Sequence, residues 1–365
     1  MTMTSKTLED LRKELDSLDS KIVELLDQRA VMALNVRAAK QAAGIEHSLV
    51  PVREAQVFAK LGKARLQKLT HSQLEQIYVE IVSACRQLQS QNRICVLDEK
   101  AGWVHAAAMN RFGSSCEVVA ADTFEDFSSE LARGFDSFGF ASFTPDFSYE
   151  RLNFIDALMS ERLFVVEEFN HSPEFCVVSN TARDLSEASE ICVTADMLRQ
   201  LRQFFISLSY DLKIKICRSM TEVLENMQSV NPLAGILPVE IAKSAANELI
   251  ILRPGLKIES MPRIRFFTLA TKPINEYAPG LKTLLLCAMD EYSDKLSLVF
   301  SELRQQNIKV TDVHSVEFSG KPFSSVVALE MILPENRAGF DQAIAKIESA
   351  SLLLKICGFF PVFRE

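Results

Sequence analysis

The stretch from Leu8 to Ala43, LEDLRKELDSLDSKIVELLDQRAVMALNVRAAKQAA, determines how this chain is organised. Its apolar residues recur three and four positions apart, which is the spacing of a helix with one apolar stripe. The stripe consists of Leu8, Leu11, Leu15, Leu18, Ile22, Leu25, Leu26 and Met32. The pattern therefore predicts one long helix, from about Leu8 to Ala43, that is buried along this stripe.

Three cationic residues lie off the apolar stripe, namely Arg12, Arg29 and Lys40. At a rise of about 1.5 Å per residue, Arg12 and Lys40 lie roughly 40 Å apart on one straight helix. One small anionic substrate cannot contact both ends of that helix. If all three cations serve one pocket, Arg12 must come from a second copy of the chain, so the spacing points to an intertwined dimer.

Two shorter helices are predicted after the long one, roughly Val52 to Leu69 and Ser72 to Gln91, with Thr70 or Ser72 as N-cap of the latter. Three helices, one of them very long, cannot enclose a pocket alone. Two copies packed together can.

Five separated motifs of this segment resemble the all-helical chorismate mutases. They are Leu11-Arg12-Lys13-Glu14-Leu15-Asp16, Leu25-Leu26-Asp27-Gln28-Arg29, Lys40, Pro51-Val52-Arg53-Glu54 and Cys85-Arg86-Gln87-Leu88-Gln89. Chorismate mutases rearrange chorismate to prephenate in a concerted step, so the resemblance implies no nucleophile, metal or cofactor.

The resemblance also implies a role for each polar residue. Arg29 and Arg12 of the partner subunit would bind the two carboxylates of chorismate, because guanidinium groups bind carboxylates bidentately. Lys40 and Gln89 would donate hydrogen bonds to the ether oxygen, on which negative charge grows. The ring and its hydroxyl would be oriented by Arg53 and Glu54. Cys85 stands where a serine often contacts the substrate, and Val50 stands where many members carry an aspartate.

Each of these residues alone also has a purely structural explanation. Arg12 and Arg29 could pair with acids on the helix surface, Lys40 could be a helix C-terminal cation, and Gln89 could be solvated. The joint pattern, with its spacing intact, favours the active site.

Strands and helices alternate from Arg93 onward, which predicts an α/β region. The predicted strands are 94–97, 117–120, 138–143, 163–166, 175–178, 190–193, 214–216 and 266–269, with a helix near 104–112. Lys272 to Gly280 looks like a linker. The last segment has the βαββαβ order of ferredoxin-like domains and resembles an ACT regulatory module. Its predicted elements are 283–288, 293–306, 310–315, 324–331, 338–350 and 353–361.

The order of these parts resembles the bifunctional chorismate mutase–prephenate dehydratases of phenylalanine biosynthesis. The expected architecture is an all-α mutase domain over 1–91, an α/β two-lobed, periplasmic-binding-protein-like dehydratase domain over 92–271, and an α+β ferredoxin-like ACT domain over 280–365.

The second domain lacks most of the family's signature residues. Where members carry Gly-Pro-Glu-Gly-Thr-Phe-Ser-His, this chain has Asp98-Glu99-Lys100-Ala101-Gly102-Trp103-Val104-His105, and the catalytic Thr-Arg-Phe becomes Ile264-Arg265-Phe266. Acids would repel a dianionic substrate, and isoleucine cannot protonate the departing hydroxyl. We therefore expect a mutase with a degenerate dehydratase-like domain. The alternatives are a fully bifunctional enzyme, or a mutase whose residues 93–365 form a binding or assembly module. Isochorismate lyases share the helical scaffold, so the sequence distinguishes them poorly from chorismate mutases.

Charge and composition exclude other classes of function. The net charge of −8 divides into +2 for residues 1–91 (13 Lys/Arg against 11 Asp/Glu) and −10 for the remainder (27 against 37), which argues against a nucleic-acid partner. No apolar stretch has the length of a membrane span, and residues 1–6 are too short and polar for a signal peptide. The eight cysteines form no CxxC pair, which favours a cytoplasmic protein with reduced thiols. A homodimer or higher homo-oligomer that takes chorismate as its substrate is the expected form.

Overall fold

Three helices form the N-terminal part of the structure, a computed structural model. It describes residues 6–45, 47–90, 93–98, 102–133, 137–143, 148–160, 162–172, 174–208, 212–245, 248–256, 264–289, 295–317, 323 and 325–364. The helices are α1 (Leu8–Ala42), α2 (Pro51–Leu61) and α3 (His71–Gln89). Capping boxes start two of them, since Thr7 and Thr70 exchange hydrogen bonds with Asp10 and Gln73. The predicted extents of α1 and α3 are confirmed, but α2 ends eight residues earlier than expected, next to Gly62.

The prediction that the apolar stripe of α1 is buried is wrong for a single chain. Only Ala33 of this helix is buried. Leu18, Ile22 and Leu25 expose 54%, 53% and 63% of their surface. The reason is that α1 packs mainly on α3, through its second half, so the rest of the stripe faces outward.

A two-lobed α/β region follows, and the chain crosses between its lobes twice. The first lobe contains β1 (Arg93–Leu97), α4 (Trp103–Phe112), β2 (Glu117–Ala121), α5 (Phe124–Ala132), β3 (Ser137–Ser142), α6 (Ser148–Met159) and β4 (Phe164–His171). The second contains β5 (Phe175–Ser179), a 3₁₀ turn (Leu185–Glu187), β6 (Glu190–Thr194), α7 (Ala195–Gln200), α8 (Arg202–Ile206), β7 (Lys213–Cys217), α9 (Met220–Asn226), β8 (Leu233–Pro238), α10 (Val239–Ser244) and β9 (Ile250–Leu256). The chain then returns through β10 (Ile264–Ala270), which pairs antiparallel with β3 and β4.

The predicted α/β alternation is confirmed, although strands β8 and β9 of the second lobe were missed. The second-lobe sheet has the order β7-β6-β8-β5-β9. Its strands β8 and β9 contain glycine and proline (LAGILP and IILRPGL), residues that weaken a strand pattern in the sequence.

The last part has the predicted βαββαβ order. It consists of β11 (Lys282–Met289), α11 (Lys295–Gln305), β12 (Lys309–Glu317), β13 (Ser325–Ile332), α12 (Arg337–Ala350) and β14 (Leu353–Phe360). The sheet order β12-β13-β11-β14 is the ferredoxin-like arrangement.

The chain then turns back to the first lobe through β15 (Val362–Arg364), which pairs parallel with β4. The first-lobe sheet therefore has six strands, in the order β15-β4-β10-β3-β1-β2. Because β15 follows the ferredoxin-like part directly, the C-terminus joins the second and third parts of the chain. Across the described residues, no helix is both long enough and apolar enough to cross a bilayer.

Candidate active site

Two hydrogen bonds set how α1 lies along α3. Arg29 Nη1 donates to the carbonyl of Ile81 at 3.4 Å, and Arg37 Nη1 donates to the carbonyl of Leu88 at 3.3 Å. Cys85 lies one turn after Ile81, and Gln89 follows Leu88 directly. Since Lys40 lies one turn after Arg37, this register places Arg29 near the turn of Cys85 and Lys40 toward the end of α3 that carries Gln89.

The polar side chains on this face differ in burial and in their hydrogen-bond partners. Cys85 is buried, and Gln89 Oε1 is buried without a hydrogen-bond partner among the residues that the structure describes. Lys40 Nζ donates to the carbonyls of His47 and Ser48, at 3.1 and 3.0 Å, in the loop after α1. These two bonds hold the Lys40 ammonium at the end of the helix.

Arg12 and Arg53 are not brought to this face by a single chain. Arg12 is exposed on the first half of α1 and bonds to none of the described residues. Arg53 is exposed and donates to Gln56 on its own helix at 3.2 Å. The roles implied for these two arginines stay predictions.

Within the predicted site, the Glu54 carboxylate accepts four hydrogen bonds from two arginines. Oε1 accepts from Arg86 Nε and Nη2, at 3.2 and 2.9 Å. Oε2 accepts from Arg86 Nη2 and from Arg111 Nη2, both at 3.0 Å. Burial raises the pKa of Glu54, but the two arginines outweigh burial, so the pKa lies below its ordinary value. Glu54 is therefore held as a carboxylate.

Sequence reasoning missed Arg111 as part of this network. Arg111 comes from α4 of the first lobe and also binds Glu167 of β4, with Nε–Oε1 and Nη2–Oε2 distances of 2.8 and 2.6 Å. The residue is 57 positions from Glu54, and no local motif could indicate the contact. Arg86 carried a weak signal, because it lies between Cys85 and Gln89 on α3.

In the second domain, a carboxylate of the chain itself lies at the N-terminus of α4. Asp98 Oδ2 accepts from the backbone N–H groups of Val104 and His105, at 2.7 and 3.3 Å. A Cβ at position 102 would collide with this carboxylate, so the close approach requires Gly102. Free N–H groups at a helix start bind anions, and here two of them are already paired. Residues 99–101, including the predicted acid Glu99, lie outside the described residues.

Arg265, the arginine retained from the Thr-Arg-Phe motif, is also paired within the chain. Its Nη2 lies 3.1 Å from Glu168 Oε2 of β4 and 2.8 Å from Glu330 Oε1 of β13. Lys282 joins the same two carboxylates at 2.8 and 3.0 Å. Burial lowers the pKa of Arg265, but Glu330 and Glu168 outweigh burial and raise it. Ile264 is buried beside this network.

His314 lies half-buried near this network. Its Nε2 is 2.9 Å from Asp312 Oδ2, and its ring packs edge-on against Phe143. Asp312, His314 and Glu330 each have one potential metal-ligand atom here, and these three atoms lie within 4.8 Å of one another. Arg265 and Lys282 already neutralise Glu330, which disfavours a further cation there.

Comparisons with known proteins match two parts of the chain to family models. A family model described as chorismate mutase type II matches residues 11–90, and one described as prephenate dehydratase matches residues 94–274. A bifunctional chorismate mutase/prephenate dehydratase from Aquifex aeolicus is 23% identical over 377 residues, which cover 97% of this chain and 98% of the relative.

Two solved structures share the fold of the last three quarters of the chain. The prephenate dehydratase from Staphylococcus aureus superposes with a TM-score of 0.60 at 14% identity, covering 74% of this chain and 100% of its own. A protein described as a quorum quenching acylase superposes with a TM-score of 0.63 at 17% identity, covering 74% of this chain and 98% of its own. At these identities the likeness shows the fold alone, and the fold does not determine the chemistry.

Proposed function

Because this chain belongs to the family of bifunctional chorismate mutase–prephenate dehydratases, we propose that its helical domain rearranges chorismate to prephenate. The reaction requires that the substrate be held folded and that charge on the breaking ether oxygen be stabilised. The observation that supports the proposal is the register of α1 on α3, in which Arg29 bonds to the carbonyl of Ile81 and Arg37 to that of Leu88.

In this site, Arg29 binds one carboxylate of chorismate, while Lys40 and Gln89 donate to the ether oxygen. Gln89 suits the task because its amide is partly buried on α3 and its NH2 group is a hydrogen-bond donor. Arg53 and Glu54 orient the ring and its hydroxyl, and Cys85 lines the pocket.

The second carboxylate is bound by Arg12 of the partner subunit. The exposed apolar stripe of α1 supports this arrangement, because a contiguous apolar surface of this length on a helix marks an interface. A second α1 packed along the stripe would bury these side chains and carry its own Arg12 toward the far end of the pocket.

We further propose that the second domain does not dehydrate prephenate. Three observations support the loss: Asp98 pairs the N–H groups that would cradle a substrate carboxylate, Glu168 and Glu330 engage Arg265, and Ile264 has no hydroxyl. The competing function, a complete bifunctional enzyme, is favoured by the dehydratase family match and by the name of the full-length relative.

The ferredoxin-like part resembles an ACT module in topology, and we propose that it serves regulation or assembly. A cytoplasmic location fits the eight cysteines, which are all free thiols.

Incubation of the purified protein with chorismate, with products identified by mass, tests the proposal. Prephenate without phenylpyruvate is the expected result. Both products would establish the bifunctional enzyme, pyruvate release would indicate a lyase, and unchanged chorismate would contradict the mutase function.

A further inference from the structure

Arg111 is held by two residues of other elements outside the helical domain, Glu167 and Phe363. Glu167 binds it through two parallel hydrogen bonds and is fully buried. The Thr268 hydroxyl of β10 donates to Glu167 Oε1 at 3.1 Å, which holds that carboxylate in turn. The Arg111 guanidinium also stacks on the ring of Phe363 from β15, at 3.9 Å from the ring centroid. Arg111 therefore has one orientation, set by β4, β10 and β15.

A further contact of Arg111 leads into the helical domain, to Glu54. Phe363 reinforces this connection, because its ring packs edge-on against Phe58 of α2, with ring centroids 6.2 Å apart. The position of the Glu54 carboxylate is thus determined jointly by α3, through Arg86, and by the second domain, through Arg111.

The Glu54 carboxylate accepts four hydrogen bonds from three donor nitrogens, because Arg86 Nη2 is shared between its two oxygens. An ionised carboxylate has about four acceptor sites. The arginines therefore fix the position of both oxygens, and a substrate hydroxyl has to share one of these oxygens with an arginine.

We propose that Arg111, a residue of the second domain, is a positioning residue of the mutase reaction, which acts by holding the Glu54 carboxylate in the orientation and charge state that the ring hydroxyl of the substrate requires. The inference rests on the proposed function of the helical domain. It makes the first catalytic site depend on the second domain, whatever chemistry the second domain itself performs.

The charges around Glu54 distinguish this role from a merely structural one. Arg86 faces Glu54 from α3 and Arg111 from α4, with Glu167 of β4 behind Arg111 and the Cys116 thiol nearby. Replacing Arg111 by methionine removes one of the two cations that lower the pKa of Glu54, so that pKa rises. Because only ionised Glu54 accepts freely, the acidic limb of kcat/KM moves to higher pH. Glu167→Gln removes a neighbouring negative charge instead, so the limb stays or moves to lower pH.

The test measures chorismate consumption by the full-length protein between about pH 5 and pH 9. The variants are Arg111→Met, Arg111→Lys and Glu167→Gln, with thermal unfolding recorded for each. Arg93→Met is the matched control, since it also removes an arginine that pairs with two glutamates, Glu117 at 3.1 Å and Glu130 at 3.2 Å. Neither of these glutamates pairs with Arg111 or Arg86, so the ion pairs of Arg93 are separate from those of Glu54.

We expect Arg111→Met to lower kcat/KM roughly tenfold and to raise the acidic limb, whereas Arg111→Lys restores the limb but not the full rate, because lysine lacks the planar fork. Arg93→Met keeps the wild-type rate and limb. A folded Arg111→Met protein with the wild-type pH profile would overturn the inference alone. If Arg111→Met does not fold, the test depends on the Glu167→Gln and Arg111→Lys variants. A shift of the acidic limb of kcat/KM in the same direction in both variants would then overturn the inference. No turnover by the unchanged protein would overturn the proposed function together with this inference.

Discussion

At the scale of single residues, the donors to the ether oxygen are expected to matter most. Lys40→Ala or Gln89→Ala should each lower the mutase rate constant by about 10²-fold, because each removes a donor to charge that develops in the transition state. Steady-state kinetics with chorismate provides the measurement, with Lys21→Ala on α1 and Gln87→Ala on α3 as controls, since both side chains are exposed on the same helices. Losses smaller than about threefold in both test variants would place the pocket elsewhere.

The residues that sequence could and could not identify differ in the range of their contacts. Arg29 and Lys40 lie on one periodic helix and Cys85 and Gln89 on another, so the spacing within each pair follows from helix geometry, whereas the register between α1 and α3 does not. Arg111 and Glu167 are 56 positions apart and meet only through the packing of α4 on the six-stranded sheet. A lone arginine at the end of an apolar helix carries no sign of such a partner.

At the scale of elements, α1 gives a prediction of subunit exchange. Proteins carrying Arg12→Ala and Arg29→Ala should each be nearly inactive, and mixing them should restore part of the activity. The helix separates the two positions by about 25 Å, so each pocket takes its arginines from different chains, and a mixed dimer contains one intact pocket. Activity measured before and after exchange under mild denaturant tests this, with Arg12→Ala exchanged against itself as control. Unchanged activity after verified exchange would exclude the shared site.

The same helix shows where periodicity informs and where it misleads. The period of 3.6 residues correctly predicted the extent of α1 to within one residue, because the capping box at Thr7 and the turn at Gly44 agree with it. It also predicted a buried stripe, which the single chain leaves exposed. An apolar stripe indicates that something covers it, but the pattern does not say whether the covering residues belong to the same chain.

Strand β15 was missed for a related reason, since its partner β4 lies almost 200 residues away.

At the scale of the whole molecule, the second domain is connected to both of its neighbours by buried ion pairs. Arg111 binds Glu54 of the helical domain, and Arg265 binds Glu330 of the ferredoxin-like sheet. Losing either arginine would leave each acid with one cation instead of two, Arg86 beside Glu54 and Lys282 beside Glu330, which weakens a pairing that lies largely away from water. The second domain is thus tied to each of its two neighbours through one of its arginines.

This arrangement leads to the prediction that restoring one hydroxyl will not restore dehydration. Ile264→Thr supplies an acid for the departing hydroxyl of prephenate, but the substrate carboxylates also need donors. Those donors remain paired, the N–H groups of α4 with Asp98 and the Arg265 guanidinium with Glu168 and Glu330. One unpaired like-charge contact in a dry pocket can cost several kcal/mol, and each ~1.4 kcal/mol lowers the reaction rate tenfold. This cost outweighs the gain in rate from a single hydroxyl. Phenylpyruvate should therefore stay undetectable when prephenate is incubated with the Ile264→Thr protein. Ile264→Val is the control, because valine has the shape of threonine without its hydroxyl. Phenylpyruvate from the threonine variant alone would mean that the carboxylate-binding groups are available after all, and that the second domain lacks only its acid.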